Sequence, residues 1–163
     1  MNKQIKINND SSFQKLFSVR EQILKWNFEE VKGIGFFRGH DIYAHVEFKI
    51  YKSEEQNGYI KWNISDDLFP YIVEQNQLRI LSNTCLKLKN YVAAIKGIDI
   101  NLTFEITNIG FHPTCNWWKA SYNAFVNGFI SCFNEELYQK NKLKSDNYFK
   151  NIDDIKMVLG QSP

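Results

Sequence analysis

The sequence "IDINLTFEIT", residues 98–107, alternates apolar and polar side chains at every position. Such a two-residue alternation is typical of a β-strand with one face in the core and the other towards water or a partner. The apolar positions are Ile98, Ile100, Leu102, Phe104 and Ile106. Since a helix would need apolar residues at steps of three and four, the segment predicts a strand, and therefore a fold that contains a sheet.

Helical periodicity precedes and follows this strand. Residues 70–96 carry apolar side chains at three- and four-residue steps and stop at Gly97, a residue that commonly ends helices. Residues 117–138 repeat the pattern. The apolar positions are Leu78, Leu81, Cys85, Leu88, Val92 and Ile95 in the first segment, and Trp118, Tyr122, Phe125, Phe129 and Phe133 in the second. We therefore expect two long helices, one on each side of the strand.

Earlier in the chain, the patterns predict an N-terminal helix at about residues 12–26 and three strands. Residues 29–39 indicate a short strand weakened by Gly33 and Gly35, residues 41–52 a strong alternating strand, and residues 59–64 a strand that forms a hairpin with it. The predicted fold is α+β: a four-stranded, largely antiparallel sheet in the order β-β-β-α-β-α, with two long helices on one face. The other face should be polar and open to water or a partner.

Composition indicates one soluble, folded domain. At 163 residues with 44% hydrophobic and 15% aromatic residues, the chain has material for one core, which we place at residues 28–138, with a polar C-terminal tail at 139–163. No apolar run suggests a signal peptide or a membrane span, so we expect a cytoplasmic protein without membrane contact. The net charge of +2 argues against a strong general field for nucleic acid, although a local basic face would escape that count. Three scattered cysteines indicate free thiols.

The segment "GFHPTCNWWKAS", residues 110–121, combines a histidine, a cysteine and two tryptophans. His112 and Cys115 supply two of the three or four ligands that zinc needs, and they lack the third group that a cysteine nucleophile needs. We therefore interpret the segment as the corner between a strand and a helix, with an exposed tryptophan as a second interpretation. We expect no catalytic residue, no metal, and no cofactor.

Four segments in a fixed order resemble the fourth domain of elongation factor G and of the ribosomal protection factors. They are "IYAHVEFKI" (42–50), "FPYIVEQ" (69–75), "GIDINLTFEI" with "FHP" (97–106 and 111–113), and "SYNAFVNGFISCFNEEL" (121–137). The resemblance covers about residues 31–137. Two features differ from the family: the glycine-rich loop is reduced to "FRGHD" (37–41), and Trp117 and Trp118 lengthen the segment before the last helix.

The resemblance implies a freestanding, non-catalytic module that associates with the ribosome or RNA through loops at 38–41 and 111–118. The chain has no G-x-x-x-x-G-K-[ST] phosphate loop, so it would not bind a nucleotide cofactor or perform the GTPase step of the family. The alternative is a protein-binding module, such as a small bacterial immunity or adaptor protein, that uses the open sheet face and the tryptophan-containing corner. The candidate binding residues are Arg38, His40, Tyr43, His45, His112, Trp117 and Trp118.

Overall fold

The protein has an α+β fold in a computed structural model that describes residues 15–39, 42–54, 60–64, 77–111 and 117–149. In these ranges one sheet contains the strands β1 (Val31–Gly39), β2 (Ile42–Lys52), β3 (Ile60–Trp62) and β4 (Leu102–Phe111). The α-helices are α1 (Arg20–Lys25), α2 (Gln77–Lys96), α3 (Trp117–Ser131) and α4 (Glu135–Phe149). The predicted class and the core order β-β-β-α-β-α are confirmed.

The sheet order is β1-β2-β4-β3, with antiparallel pairs except for the parallel pair of β3 and β4. The prediction of a largely antiparallel sheet is therefore confirmed. The predicted hairpin between β2 and β3 is wrong, because a strand has two edges and β2 already pairs with β1 on one and β4 on the other. The chain returns from β3 through α2 to place β4 between them.

The helix-covered face of the sheet forms the core that the alternating pattern predicted. Its inward side chains include Val46, Phe48 and Ile50 of β2 and Phe104 and Ile106 of β4, all of them buried. Buried side chains of α2 and α3 complete the same cluster: Leu81, Cys85, Leu88, Val92, Ala124, Phe125 and Phe129. One predicted core position is wrong, because Ile98 precedes β4 in the turn after α2 and is 48% exposed.

Strand β1 is nine residues long, although its glycines predicted a short, weak strand. The glycines are needed because α3 lies directly on this strand. A Cβ at Gly35 would lie 1.8 Å from the carbonyl oxygen of Ala124, and one at Gly33 would lie 2.4 Å from that of Gly128. The missing side chains therefore allow helix and strand to approach closely, a gain that outweighs the low strand propensity of glycine.

The N-terminal helix differs from its prediction in form and in the residues that it buries. A 3-10 helix, Lys15–Val19, precedes α1, and residues 12–14 lie outside the described part. The α-helical periodicity predicts that Leu16, Phe17, Ile23 and Leu24 share the buried stripe. Leu16 and Ile23 are buried, whereas Phe17 is 69% exposed, Leu24 is 39% exposed and Val19 takes a core position. A 3-10 helix has three residues per turn instead of 3.6, so the buried stripe rotates away from the positions that α-helical periodicity predicts.

The predicted helix at 117–138 is two helices, and the predicted polar tail is partly helical. Helix α3 ends at Ser131, and α4 begins after Asn134, whose side-chain Oδ1 accepts a hydrogen bond from the Leu137 amide at 3.0 Å. This is an N-cap, and Glu135 and Glu136 follow it in the first turn, where acidic groups are favourable. Residues 139–149 therefore belong to α4, which packs against α3 and β1. For the helix predicted at 70–96, residues 70–76 lie outside the described part.

Candidate functional site

Two of the predicted contact regions lie at one end of the sheet. Arg38 pairs with Tyr43 where β1 and β2 approach their connection, and Ala44 pairs with Phe111 at the end of β4. The end of the β1–β2 hairpin is therefore beside the end of β4. His40 and His112 lie outside the described residues. Trp117 and Trp118 begin α3, but only their backbone is described.

His45 is on the predicted polar face of β2 but is 1% exposed. Its ring stacks on Phe36 of the neighbouring strand with centroids 4.4 Å apart and an interplanar angle of 14°. The ring of Phe36 also lies beside that of Tyr43, with ring centroids 6.1 Å apart. Burial lowers the pKa of His45 and outweighs the opposite effect of the nearby Glu47 carboxylate. The rings of Tyr43 and Phe36, which are half-buried, are therefore more accessible at the sheet surface than the imidazole.

Glu47 connects this histidine to α4. Its Oε1 lies 3.7 Å from His45 Nε2 and accepts a hydrogen bond of 2.5 Å from the Ser145 hydroxyl. Burial alone would raise the pKa of Glu47, but its contacts with His45, Ser145 and Asn108 outweigh burial and hold that pKa below its usual value. In a hydrolase triad the histidine contacts the serine, whereas here the carboxylate lies between them. The hydrogen bond from Ser145 to Glu47 therefore attaches α4 to β2.

Helix α4 covers part of the sheet face that was predicted to be open, which corrects that prediction. We call this the second face; its strand residues include Lys32, Ile34, Phe36, Tyr43, His45, Glu47, Lys49, Tyr51, Lys61, Thr103 and Glu105. Between α4 and the second face lies an open groove of about 320 Å³, here called the α4 groove. Its lining residues are Lys32, Gly33, Ile34, Glu47, Phe48, Lys49, Thr107, Tyr138, Lys142 and Asp146.

A charged row crosses the second face on all four strands. Lys32 is the register partner of Lys49, Lys49 is the partner of Glu105, and Glu105 is the partner of Lys61. The Glu105 carboxylate accepts hydrogen bonds from Asn63 Nδ2 at 3.0 Å and from the Tyr51 hydroxyl at 3.1 Å. The Asn63 bond is the main reason that the pKa of Glu105 is lowered. The row therefore contains three lysines and one carboxylate. That carboxylate already accepts hydrogen bonds from two uncharged side chains.

Sequence reasoning missed the contribution of α4 to this surface. The predicted polar tail at 139–163 includes both Lys142 and Ser145. A usable signal was the helical spacing of Tyr138, Asn141 and Ser145 after the acidic start at Glu135. That spacing places small polar side chains on one side of a helix, but their strand partners, Ile34 and Glu47, are about 100 residues away in the chain.

Of the two described thiols, that of Cys85 is buried and that of Cys132 is half-buried. Cys85 and Cys132 are free, as predicted, and burial raises the pKa of each thiol. Cys115 lies outside the described residues. Within the described ranges, no three His, Cys, Asp or Glu side chains group closely enough to hold a metal ion. Across the same ranges, no helix combines the length and apolar character required to cross a bilayer. No protein-family model matches this chain, and no curated protein matches it.

Proposed function

We propose that the chain is a non-catalytic binding module that associates with RNA, with the ribosome as the partner that the resemblance to the elongation factor G domain implies. The observation that carries this proposal is the register at the end of the sheet. Because Arg38 pairs with Tyr43 and Ala44 pairs with Phe111, the hairpin end and the start of the corner are neighbours. Arg38 and Phe111, from which the two regions of the expected RNA contact start, therefore lie at the same end of the sheet.

The side chains at this end suit RNA chemically. Arg38 is exposed, and a guanidinium presents a planar set of donors that matches a phosphate. Tyr43 and Phe36 are half-buried rings, and aromatic rings stack on unpaired bases. The small net charge of +2 does not oppose this function, because the lysines of the second face concentrate positive charge locally.

Co-sedimentation with purified ribosomes tests the proposal. We expect the protein to sediment with ribosomes at low salt and to dissociate as salt rises, because phosphate contacts release counterions. Arg38→Gln should weaken the association. The control is Lys52→Gln, which removes an exposed positive charge from the opposite end of β2, where Lys52 pairs with Leu102. Equal behaviour of both variants, or no sedimentation of the wild type at any salt concentration, contradicts the proposal.

A protein-binding module, such as an immunity or adaptor protein, is the second candidate. The half-buried rings of Phe36 and Tyr43 favour it, because aromatic anchors with few charges around them are common at protein interfaces. This candidate predicts that one protein partner is retained at high salt and lost in Tyr43→Ser. If the captured material contains RNA and its amount falls as the salt concentration rises, the first candidate is supported instead.

A further inference from the structure

The α4 groove combines positive charge with a ring and an apolar side chain. Lys32 and Lys49 come from the sheet and Lys142 comes from α4, so lysines line the groove from both of its sides. The acidic lining residues are Glu47 and Asp146, which leaves one excess positive charge among the charged lining groups. Glu47 already accepts a hydrogen bond from Ser145. The groove is therefore suited to an anion.

The register of the sheet makes this charge arrangement unfavourable without a ligand. Lys32 and Lys49 are direct cross-strand partners, and like charges at such positions destabilise a sheet. Within the described residues, Glu30 lies 3.8 Å from the Lys49 ammonium and offsets part of this repulsion from outside the groove. A bound phosphate would contact both ammonium groups at once and remove the remaining repulsion.

The size and the other lining groups indicate which anion fits. A volume of about 320 Å³ is at the small end of the roughly 300–1,000 Å³ that is usual for ligand sites. Tyr138 from α4 and Ile34 from β1 line the groove together with the lysines. An aromatic ring offers a stacking surface for a base, and lysines contact the phosphate that follows it. This combination fits one nucleotide unit.

We propose that the α4 groove holds one nucleotide of a single-stranded RNA, with its phosphate at Lys32, Lys49 and Lys142 and its base against Tyr138. This inference rests on the proposed RNA-binding function and adds a contact surface that the resemblance does not imply. Lys61 continues the row on β3, beyond Glu105, and provides the position for a neighbouring phosphate. The RNA strand would then cross the second face from α4 towards β3.

The test is binding of a fluorescent, unstructured RNA of twelve nucleotides to the full chain, measured by anisotropy across a salt series. Lys32→Gln with Lys142→Gln removes two exposed charges from the groove. Lys140→Gln with Lys144→Gln is the matched control, because both lysines are exposed on α4 and neither lines the groove. Since the proposal places these lysines on one phosphate, the affinity of the groove variant should fall, and its slope of log affinity against log salt should become shallower by at most about 0.7, the contribution of one phosphate in a single strand. The control should keep the wild-type slope.

Tyr138→Leu separates stacking from charge. It should lower the affinity for RNA while the salt slope stays at the wild-type value, because no ionic contact is lost. A mononucleotide, AMP, should shift the amide resonances of β1 and α4 in a wild-type NMR titration, but with weaker affinity than the strand.

The possible outcomes test the groove inference and the proposed RNA-binding function separately. If the wild type binds RNA and the groove and control variants share its slope and affinity, the groove inference is wrong and the RNA function stands. If the wild type binds neither the RNA nor ribosomes, both are wrong. Thermal unfolding of each variant confirms that lost binding is not lost folding.

Discussion

His45, which is buried, and Glu47, which is half-buried, form an acid–base pair at the centre of the second face. The imidazole is 1% exposed and stacks on Phe36, while its Nε2 lies 3.7 Å from Glu47 Oε1. Burial disfavours the charged imidazolium and lowers the pKa of His45 from its ordinary value of 6.5. The folded protein therefore binds a proton at this site less readily than the unfolded chain does.

This difference predicts that stability falls with pH below about 6.5. Because the unfolded chain takes up the His45 proton first, acid favours unfolding between pH 6.5 and the lower pKa of the folded state. Urea unfolding between pH 7.5 and 5.0 should show a declining free energy of unfolding. His45→Gln should flatten that decline, whatever its effect on stability at pH 7.5. Glu47 adds a separate loss only below 4.5, because its own pKa is lowered from that value. Parallel pH profiles for the wild type and the variant would contradict the prediction.

Two glycines test different physical reasons for the absence of a side chain. Gly35→Ala places a Cβ 1.8 Å from the Ala124 carbonyl oxygen, so α3 or β1 must move. We expect a loss of about 3 kcal/mol, at the upper end of overpacking effects. Gly97→Ala meets no atom within 4 Å, but φ is +66° there, so only the backbone is strained, by roughly 1–2 kcal/mol. Urea unfolding of both variants shows which of them loses more free energy of unfolding. A larger loss for Gly97→Ala than for Gly35→Ala would refute the close contact of α3 with β1.

For single residues, the sequence predicted the sheet face on which a side chain lies better than it predicted whether that side chain is buried. The alternation of β2 correctly separates Val46 and Phe48 from His45 and Glu47. It could not predict that His45 is buried, because the covering residues come from other elements: Phe36 from β1 stacks on its ring, and Ser145 from α4 contacts its neighbour Glu47. Periodicity reports the side of a strand on which a residue lies, whereas burial depends on what packs there.

At the scale of elements, side chains from α3 and α4 close the free edge of β1. The amides of Ile34 and Phe36 donate to Ser131 Oγ at 2.9 Å and Asn127 Oδ1 at 3.1 Å, respectively. Asn141 Nδ2 donates to the Ile34 carbonyl at 2.7 Å and to Asn127 Oδ1 at 2.9 Å. An exposed strand edge is a template for pairing with another chain. These polar side chains occupy its donors and acceptors instead.

Asn141 should therefore contribute more to stability than its position on a polar helix suggests. Asn141→Ala leaves the buried Ile34 carbonyl without this donor, and we expect a loss of about 1–3 kcal/mol. Lys140→Ala on the exposed side of the same helix is the control and should change stability by less than about 0.5 kcal/mol. Urea unfolding at pH 7 measures both. Equal effects would show that α4 does not seal the edge of β1.

The elements that the sequence predicted well are those whose periodicity is long and uninterrupted. Residues 77–96 and 102–107 behave as predicted because one face of each is continuously apolar. Two predictions failed for local reasons: the chain reverses at Cys132–Asn134, where an asparagine cap starts α4, and β3 has three residues, too few to encode its partner. Pairing of β3 with β4 depends on α2, which carries the chain across the sheet. The candidate binding residues at the hairpin end were found by resemblance, whereas the groove requires tertiary structure.

At the scale of the whole molecule, nearly balanced charge conceals an uneven distribution. The total is 20 basic and 18 acidic side chains, yet Lys32, Lys49 and Lys61 share one row of the sheet with a single acid, Glu105. On the helix-covered face the strands present apolar side chains instead. Positive charge is therefore concentrated in this row, although Glu47 on the same face offsets part of it, and a salt series measures the effect of the row on binding.

Helix α3 and the sheet should unfold together, because their side chains pack into one core. Phe125 is fully buried and stacks on Phe48 with ring centroids 4.4 Å apart, so Phe125→Ala should lower the free energy of unfolding by about 3–5 kcal/mol. Phe17→Ala removes a ring that is 69% exposed and should cost less than about 0.5 kcal/mol. In urea, far-UV circular dichroism and tryptophan fluorescence should report one coincident transition for each protein. Two separate transitions would contradict the predicted single domain, because helices and sheet that share this core cannot unfold independently.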